Sequence, residues 1–388
     1  MIKHRLVKSR SLPAKAPAAT PPSDDSAWPK SFAKEFAGKR ILVTGGTGSI
    51  GSALVKHLLQ FKPLQIRVFS RDESKQWQLW HELNRNPLVR LLIGDIRDKD
   101  RVLRAMENVD IVFHAAAMKH VVACENDPFE AVKTNVSGTQ NVIECALSVG
   151  VDKIIGVSTD KATDPVSVMG CTKLLAEKIM LASLHYRGDK PTKCCFVRFG
   201  NVLSTRGSVI PLFYQQIAAG GPVTVTDQRM QRFFISVDEA VRLVFQAAVM
   251  TRDREIFILK MPVLRVYDLA RAMIELYAPR FGRSPREIKI ELTGRKAGER
   301  FHEKLLTADE AEYAYETKDM FVITPVIGRE DAFDRKIFEW PGAKKAGVRD
   351  YSTEGRRTLG LSAIKAKLAA DEHCLARIVN PFSGILGG

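Results

Sequence analysis

Three consecutive polar residues carry side chains that can give or take protons. Thr159, Asp160 and Lys161 directly follow the apolar run "KIIGVS" at 153–158. Such a run predicts a buried strand, and ligands of open α/β sheets bind at the carboxyl ends of the strands. A carboxyl and an amine held there are suited to general acid and base chemistry. The alternative is that these residues cap the next turn, since Ser, Thr and Asp favour such positions.

A glycine-rich segment lies much earlier in the chain. The apolar run "ILVTG" leads directly into "GTGSIG", so Gly46, Gly48 and Gly51 form G-x-G-x-x-G before the amphipathic stretch "SALVKHLLQF". Glycines at a strand-to-helix turn let backbone N–H groups approach a pyrophosphate. We therefore predict a dinucleotide site, the alternative being an ordinary glycine-rich turn. The predicted contacts in this segment are Gly45, Thr47, Gly48, Ser49, Ile50 and Gly51.

The end of the next predicted strand indicates which dinucleotide binds. NAD sites usually place an Asp or Glu there, but "VFSRDE" places Ser70 and Arg71 at this point. A hydroxyl and a guanidinium suit a 2′-phosphate, so we predict NADP. NAD is the alternative, with Asp72 on the ribose and Arg71 solvated. The remaining predicted cofactor contacts, at or after two later strands, are Asp95, Ile96, Ala115, Ala116 and Ala117.

The elements that must position these residues alternate along the chain. From residue 40 onward, short Val, Ile and Leu runs alternate with amphipathic stretches, which specifies repeated βαβ units and a parallel sheet covered on both faces. The predicted fold class is α/β, a Rossmann doubly wound parallel sheet with a smaller C-terminal substrate-binding subdomain. Past residue 200 the spacing is irregular, but a helix is predicted after an N-cap at Ser236 with Glu239 three residues later, and another within 265–278.

Composition shifts divide the chain into four parts. Residues 1–37 are basic and rich in Pro and Ala, and they predict a flexible extension. We expect a dinucleotide-binding domain at 38–262, in which 203–226 contributes to the substrate site, and a substrate-binding subdomain at 263–350. The C-terminal tail at 351–388 has one predicted helix, around "SAIKAKLAA", and no function that its residues indicate.

Composition also restricts the function classes. The 388 residues are 45% hydrophobic with a formal charge of +15, but the basic residues are dispersed and no zinc-finger or basic-zipper spacing occurs, so no nucleic-acid partner is expected. The six cysteines lack paired metal or redox spacing, the start lacks the apolar core of a signal peptide, and no apolar stretch is long enough for an integral membrane segment. We expect a cytoplasmic enzyme.

A set of motifs in a fixed order makes the prediction more specific. Over about 38–330 the chain resembles bacterial UDP-N-acetylglucosamine 4,6-dehydratases of the capsule and flagellin-sugar type, which are extended short-chain dehydrogenases/reductases. The segments that carry the resemblance are "TGGTGSIG", "SRDE", "GDIRD", "HAAAMKHV", "KTNVSGTQNV", "VSTDKATDPVSVMGCTK", "RFGNVLSTRGSVIPLF", "TDQRMQRFFISVDEAV" and "GERFHEKLL". Together they are far more specific than the glycine loop, which enzymes of many chemistries share.

The resemblance implies a three-stage reaction. Hydride passes from C4 of the sugar to NADP⁺, water is eliminated across C5 and C6, and hydride returns to C6. Because the transient ketone acidifies the C5 hydrogen, the site needs a base at C5 and an acid for the 6-hydroxyl. By resemblance Lys161 is the base, Asp160 the acid, and Thr159 relays the 4-hydroxyl proton. We expect positive charge from Lys173 and the oxidised nicotinamide to lower the pKa of Lys161.

One position departs from the usual short-chain dehydrogenase pattern. That pattern is Tyr-x-x-x-Lys, and this chain has Met169 and Lys173 instead. The spacing keeps both on one helix face, so Lys173 is expected to hold the nicotinamide ribose. A thioether cannot exchange a proton, which disfavours a plain dehydrogenase or a 4-epimerase and resembles the Met-containing branch of the 4,6-dehydratases. Without the resemblance, Met169 would be assigned to the helix core.

Four residues are assigned to the nucleotide end of the substrate. Asn201 follows another predicted strand and resembles the family position that meets the substrate diphosphate. Arg206 and Ser208 flank a glycine in a loop that can wrap a nucleotide. Arg232 is expected to form a charged bond to the diphosphate.

Two further positions concern the sugar and the uridine diphosphate. The family usually carries Arg-Pro-Gly-Glu before its last helix, whereas this chain has Lys296-Ala297-Gly298-Glu299. Lys296 keeps the charge but loses the planar fork of arginine; Glu299 is retained as a substrate contact. Lys119 is expected near the sugar. His120 beside it is interpreted as structural, and no metal is expected, since no second ligand stands at metal spacing.

The function that these observations predict is a nucleotide-sugar 4,6-dehydratase that converts UDP-N-acetylglucosamine to a UDP-4-keto-6-deoxy sugar. The first alternative is a UDP-sugar 4-epimerase on the same scaffold. The second is a non-catalytic NADP-binding scaffold protein that acts through its basic extension. A homo-oligomer is expected from the family habit, with a UDP-sugar as the substrate.

Overall fold

The computed structural model describes residues 28–185, 188–295, 298–325 and 339–379. Within them the largest sheet has ten strands, in the spatial order β16-β14-β15-β10-β6-β5-β4-β1-β2-β3. The strands are β1 (Arg40–Thr44), β2 (Gln65–Ser70), β3 (Val89–Ile93), β4 (Ile111–His114), β5 (Lys153–Thr159), β6 (Lys193–Phe199), β7 (Asn201–Val202), β8 (Val223–Val225), β9 (Gln231–Ile235), β10 (Glu255–Leu259), β11 (Val263–Arg265), β12 (Ile290–Leu292), β13 (Lys304–Leu306), β14 (Ala314–Glu316), β15 (Met320–Ile323), β16 (Lys344–Lys345) and β17 (Tyr351–Ser352).

Helices connect the parallel strands and cover the sheet. They are α1 (Lys30–Phe36), α2 (Ser49–Leu58), α3 (Glu73–Glu82), α4 (Lys99–Met106), α5 (Val121–Asn126), α6 (Pro128–Val132), α7 (Gly138–Val149), α8 (Val168–Leu181), α9 (Val209–Ala219), α10 (Val237–Met250), α11 (Val266–Tyr277), α12 (Ala308–Ala311), α13 (Leu361–Ala370) and α14 (Glu372–Val379). A π-helical turn at Lys133–Ser137 joins α6 to α7. None of the helices in the described residues is both long and apolar enough to cross a membrane.

The parallel part of the sheet has the strand order of a Rossmann fold. Strands β3, β2, β1, β4, β5, β6 and β10 pair in parallel. Their side chains are buried on both faces because helices cover both, which explains the nearly continuous apolar runs in the sequence. The predicted helix after Ser236 is α10, and its capping box is formed by reciprocal bonds between Ser236 and Glu239. The predicted fold class is confirmed.

A second, smaller core lies beside this sheet. It is built from α9, α11 and the short strands around β8, and it buries Phe213, Leu269 and Met273. The C-terminal segment belongs to it as well, because Ile364 and Leu368 of α13 are buried in the same cluster. The predicted helix in the tail is therefore present, and it packs rather than extending away.

The predicted domain limits do not coincide with this packing. Strands β14, β15 and β16 lie within 263–350 but extend the large sheet, where β15 pairs antiparallel with β10. The chain thus adds strands to the large sheet after it has formed part of the smaller core. The contribution of 203–226 to a substrate site remains a prediction.

The end of the predicted flexible extension is folded. Residues 1–27 lie outside the described part of the chain, but α1 follows directly, with Phe32 and Phe36 buried. The ring of Phe36 lies 4.9 Å from that of Phe245 and 5.7 Å from that of Phe61. The expectation that 28–37 is unstructured was wrong, because two aromatic rings in one helical turn are sufficient to anchor a short helix to the core.

Replacing Phe36 tests this anchor. We expect Phe36→Ala to lower the free energy of unfolding by about 3–5 kcal/mol, since it removes a buried ring and leaves a cavity. The matched control is Phe129→Ala, because Phe129 is 79% exposed, and its effect should stay within about 0.5 kcal/mol. Denaturant unfolding followed by circular dichroism measures both, and equal effects of the two changes would contradict the packed helix.

Candidate active site

The glycine loop forms a narrow turn at the carboxyl end of β1. Gly45 has a φ of +66°, and a Cβ there would lie 2.7 Å from the backbone nitrogen of Ala116. A Cβ on Gly51 would lie 2.3 Å from the carbonyl oxygen of Gly45. Both positions therefore require glycine, one because of its backbone conformation and both because of the close approach of other backbone.

The start of α2 is open to an anion. Gly48 is its N-cap residue and no side chain caps the helix, so the first-turn N–H groups are available to a phosphate and the helix dipole favours it. A cavity of about 250 Å³ opens beside this loop, lined in part by Thr47, Ser49, Lys75 and Arg206. This cradle fits the pyrophosphate of a dinucleotide, and the predicted loop residues Thr47, Gly48 and Ser49 line the cavity.

The residues predicted to select between NADP and NAD lie at the end of β2. Arg71 is exposed, but its guanidinium lies 3.5 Å from the carboxylate of Asp95. Asp72 is the N-cap of α3, where it accepts a bond from the Lys75 amide and pairs with the Lys75 ammonium. Asp72 is thus engaged as a cap, which weighs against the alternative that it binds a ribose. Ser70 is buried and accepts a bond from the Gln76 side chain.

The loop after β4 passes against the glycine turn. Ala115 donates its amide to the Thr44 carbonyl, and Ala116 lies opposite Gly45; Ala117 continues the same loop. Ile96 is buried, and it contacts Gly138 at the start of α7 so closely that a Cβ there would lie 2.7 Å from it.

Asn135 is a site residue that the sequence reasoning did not single out. It lies in the π-helical turn, buried, and its side chain bonds both the amide and the carbonyl of Met118 and the hydroxyl of Thr172 on α8. It therefore ties the loop after β4 to the helix that carries Lys173. Its motif, "KTNVSG", was recognised, and a π-turn is a frequent marker of functional sites.

Lys173 extends from α8 to the sheet. Its ammonium donates to the carbonyl of Val157, two residues before Thr159. Burial lowers the pKa of Lys173 to about 8, although Glu177 opposes this shift. Lys173 therefore lies next to the end of β5, and its contact with a nicotinamide ribose stays a prediction.

His114 lies buried in the interior of the site. It is buried at the end of β4, where its ring bridges the hydroxyls of Thr44 and Thr139. Burial, assisted by the charge of Lys173, lowers the pKa of His114 to about 3, so the imidazole is neutral at physiological pH. A neutral ring can donate one bond and accept the other.

The three polar residues at the end of β5 form one hydrogen-bonded group. The Thr159 hydroxyl donates to Oδ1 of Asp160 (2.9 Å), and Lys161 Nζ donates to the same oxygen (3.0 Å). The Lys161 amide bonds the Thr159 hydroxyl, so the capping alternative also holds in part. Asp160 is fully buried, and its Oδ2 has no hydrogen-bond partner within the described residues. A buried carboxylate oxygen without a partner is unusual in a folded protein.

A second carboxylate joins this group from the C-terminal half of the chain. Oε1 of Glu303 lies 3.7 Å from Nζ of Lys161 and 3.5 Å from Nε of Arg232. Burial raises the pKa of Glu303, against the pull of Lys161, and the negative charge of Asp160 adds to the rise. The residues Asp160, Lys161, Arg232 and Glu303 form what we call the charge cluster.

The charges within the chain do not lower the pKa of Lys161 in the way that the sequence suggested. Burial lowers its pKa, but the carboxylates of Asp160 and Glu303 offset this, and the pKa of Lys161 is raised above its usual value. The positive charge that acts on it is that of Arg232, whereas Lys173 is bonded to Val157. The sequence could not show this, because Glu303 reaches Lys161 only through the tertiary fold.

Met169 lies in a small apolar cluster. It is 4% exposed and packs with Cys124 and Ala131, as the core alternative predicted. The next residue, Gly170, lies so close to the Lys161 carbonyl that a Cβ would approach it to 2.3 Å. The first turn of α8 thus fixes the backbone of Lys161 while offering no hydroxyl to a substrate from position 169.

Lys119 and Arg206, both predicted for the substrate, contact each other. Lys119 donates to the carbonyl of Arg206 (2.6 Å), and burial lowers the pKa of Lys119. The side chain of Arg206 lies beside the glycine loop, on the cofactor side of the cleft. Ser208 is the N-cap of α9 without a capping bond, and its buried hydroxyl has no partner among the described residues. Asn201 begins β7, which pairs with β9.

Two predicted positions near 296 have different outcomes. Lys296 lies outside the described residues, so its proposed contact stays a prediction. Glu299 is half-buried on the segment that leads to the charge cluster. His120, the predicted structural histidine, is the N-cap of α5, and its ring packs against Gly207.

The sheet order and the glycine loop at its edge define an enzyme of the extended short-chain dehydrogenase/reductase class, which uses a nicotinamide cofactor. The chain belongs to the polysaccharide biosynthesis protein family, whose profile matches residues 41–325. A solved structure described as Pen from Bacillus thuringiensis superposes with a TM-score of 0.80 at 41% identity, covering 87% of this chain and 99% of that one. The predicted family and fold are confirmed.

Sequence relatives carry different names. An uncharacterized membrane protein of Methanocaldococcus jannaschii is 52% identical over 75% of this chain and 87% of its own length. UDP-N-acetylglucosamine 4,6-dehydratase (inverting) of Campylobacter jejuni is 40% identical, over 82% and 93%. UDP-glucose 4-epimerase of Rickettsia canadensis is 38% identical, over 86% and 96%. Both of the predicted enzyme activities therefore occur among the names of similar proteins.

The neutral His114 predicts a pH dependence of stability. The unfolded chain protonates this histidine near pH 6.5, whereas the folded protein does so only near pH 3. Its contribution is complete above pH 6.5 and is lost as the pH falls, by up to about 5 kcal/mol. Urea unfolding at several pH values should show a smaller acid loss for His114→Gln than for wild type. The control is His185→Gln at an exposed position; equal slopes for all three proteins would contradict the account.

Proposed function

We propose that this protein is a nucleotide-sugar 4,6-dehydratase that converts UDP-N-acetylglucosamine to a UDP-4-keto-6-deoxy sugar. The observation that carries the proposal is the contact of the buried Asp160 with the half-buried Lys161 at the carboxyl end of β5, with Asp160 Oδ2 unpartnered among the described residues. An acid and a base side by side match an elimination, which removes a proton and protonates a leaving hydroxyl. The 40% identical Campylobacter dehydratase supports the same reaction.

The glycine loop, Ala115–Ala117 and Lys173 would hold the cofactor. Hydride acceptance from C4 and hydride return to C6 would be the chemistry that a bound nicotinamide dinucleotide supplies. The chain's part is to present the loop amides and the start of α2 to the pyrophosphate, and the Lys173 ammonium to ribose hydroxyls.

The residues at the end of β5 would divide the proton transfers. Asp160, whose Oδ2 is buried without a hydrogen-bond partner among the described residues, would first take up the 4-hydroxyl proton and then give it to the departing 6-hydroxyl. Lys161, as the free amine, would take the C5 proton. Thr159 already donates to Asp160 Oδ1, so a relay from the 4-hydroxyl would run through that bond. Lys161 must first lose the proton that its two carboxylate neighbours favour.

The substrate would lie across the edge of the sheet. Arg232 and Asn201, from paired strands β9 and β7, would meet the diphosphate, and the free hydroxyl of Ser208 would bind the nucleotide. Lys119 would contact the sugar and Lys296 and Glu299 the uridine diphosphate. Arg206 would contact the substrate or the cofactor from the loop between them, since its carbonyl accepts from Lys119 and the residue lines the cavity beside the glycine loop.

A UDP-sugar 4-epimerase is the second candidate. The 38% identical Rickettsia relative with that name favours it. A buried thioether at Met169 weighs against it, because this position lacks the phenol that serves as the base in the Tyr-x-x-x-Lys pattern. The two candidates differ in the mass of the product.

We propose NADP rather than NAD as the cofactor. Arg71 is exposed at the end of β2, and Lys75 and Arg206 line the cavity beside the glycine loop. Three cations around one edge suit the extra phosphate of NADP. The engagement of Asp72 as a helix cap supports the same preference.

We also propose that the enzyme is a cytoplasmic homo-oligomer. The cysteines whose side chains the structure describes are free thiols, four of them buried, which agrees with a reducing compartment. The oligomer rests on the family habit, and light scattering of the purified protein measures it.

Product mass separates the two candidate activities. We expect the purified protein with NADP⁺ and UDP-N-acetylglucosamine to form a product lighter by one water, because elimination precedes hydride return. Mass spectrometry follows the conversion and NMR reads the configuration at C5. An isomeric product of unchanged mass would establish the epimerase instead, and no conversion of any UDP-sugar would reject both.

Replacing Lys161 tests the proposed base. We expect Lys161→Ala to lower kcat by at least about a hundredfold, since general-base catalysis contributes that much or more, while NADP⁺ still binds. The control is Lys260→Ala, because Lys260 pairs with Glu316 on the far part of the sheet. Turnover assays and fluorescence titration with the cofactor provide the two readouts, and retained turnover would exclude the role.

Cofactor preference is tested at Arg71. We expect Arg71→Ser to weaken NADP binding by about tenfold and NAD binding little, since only the 2′-phosphate needs the guanidinium. Arg85→Ser is the control, because Arg85 stacks on Trp80 away from the loop. Titration calorimetry with both dinucleotides measures the change. Equal losses for NAD and NADP would argue against this contact.

A further inference from the structure

Glu303 is a buried carboxylate whose side chain has two cationic neighbours. It lies just before β13, 5% exposed, with Oε1 3.7 Å from Lys161 Nζ and 3.5 Å from Arg232 Nε. A buried carboxylate is retained in a fold when it is paired. Here one of its partners is the proposed catalytic base.

Three hydrogen bonds join the backbone of Glu303 to the C-terminal segment. Its amide donates to the Thr353 hydroxyl (3.1 Å), and its carbonyl accepts from the Thr353 amide (2.9 Å) and the Ser352 hydroxyl (3.3 Å). Tyr351, next to these residues, stacks on Phe233 of β9 at 4.8 Å between ring centroids. The segment at 351–353, which had no assigned role, therefore fixes where the carboxylate lies relative to β9.

Charged groups from several elements face this pair. Asp160 contacts Lys161 within its own turn, and Arg232 of β9 approaches Glu303 from the other side. Arg300 adds positive charge near Glu303.

Other charges around the site are paired elsewhere. Lys173 of α8 is bonded to Val157. Lys304 pairs with Asp164 and Asp350. Glu303 and Asp160 are thus the two anionic groups that act on Lys161 within the described residues.

We propose that Glu303 is a positioning residue for the proposed elimination: with Asp160 it holds the Lys161 side chain by charge, and it controls when that side chain is protonated. The inference rests on the proposed function for its catalytic meaning, but the charge coupling itself stands without it. Lys161 releases its proton to solvent to become the amine, which then forms the new N–H bond as the C5–H bond breaks. The C5–H electron pair forms the C5–C6 double bond, and the 6-hydroxyl leaves as water with the proton from Asp160.

The direction of the effect follows from the geometry. A carboxylate within about 4 Å of an ammonium favours the charged form by about one pKa unit or more. Glu303→Gln keeps the shape of the side chain and removes its charge. The amine of Lys161 should then form at lower pH, and Arg232, no longer neutralised, should move it further in the same direction.

Site-specific labelling measures this without turnover. The full-length proteins are pulsed across a series of pH values with acetic anhydride, which acetylates a lysine only in its free-amine form, and peptide mass spectrometry reads the modification of Lys161. We expect the midpoint for Lys161 in Glu303→Gln to fall by about one pH unit relative to wild type, about tenfold more free amine at a given pH. The control is Glu316→Gln, whose carboxylate pairs with Lys260 instead, and which should leave Lys161 unchanged.

A second variant keeps the test decisive if Glu303→Gln does not fold, as judged by circular dichroism. Glu303→Asp retains the negative charge but places it about one methylene further from Lys161. It should lower the Lys161 midpoint as Glu303→Gln does, but by a smaller amount. An unchanged Lys161 midpoint in the folded variants would overturn the proposal. If wild type fails to dehydrate any UDP-sugar but the midpoint shifts, the proposed function fails and the coupling between Glu303 and Lys161 holds.

Discussion

The structure depends on one geometric constraint of parallel sheets. Parallel strands joined by crossover helices all end at the same edge, so residues far apart in sequence meet where strands β1, β4 and β5 end. This places the glycine loop, the loop after β4 and the Asp160–Lys161 pair side by side. The tight contact of Gly45 with Ala116 shows how little space separates the first two. Cofactor site and acid–base pair are therefore consequences of one topology.

Electrostatics decides what the converged residues can do. Asp160, Lys161, Arg232 and Glu303 carry two negative and two positive charges in a mostly buried group. The balance makes burial tolerable, because each charge has an opposite neighbour. It also means that the protonation of Lys161 is a property of the group rather than of one residue. The state of this side chain is set jointly by β5, β9 and the segment before β13.

Much of the fold was predictable because its signals are local. Apolar runs of strand length, the glycine turn and the capping box at Ser236 each follow from residues that are neighbours along the chain. The family could be recognised for the same reason, since its motifs are short and ordered. The folded helix α1 was missed because its anchor, Phe36 against Phe245, is visible only after folding. The return of β14 to β16 to the large sheet was missed because sheet order is a non-local property.

The amino-acid sequence by itself determined the Rossmann class, the dinucleotide loop and the identity of Thr159, Asp160 and Lys161 as candidate proton-transfer residues. These depend on periodicity, glycine spacing and residue type, which are readable along one dimension. Only the tertiary structure decided the surroundings of Lys161, the role of Asn135 in joining two elements, and the placement of Arg206 beside the cofactor loop. The physical reason is that charge and hydrogen bonding act through space over a few ångströms, and chain folding alone determines which residues come that close.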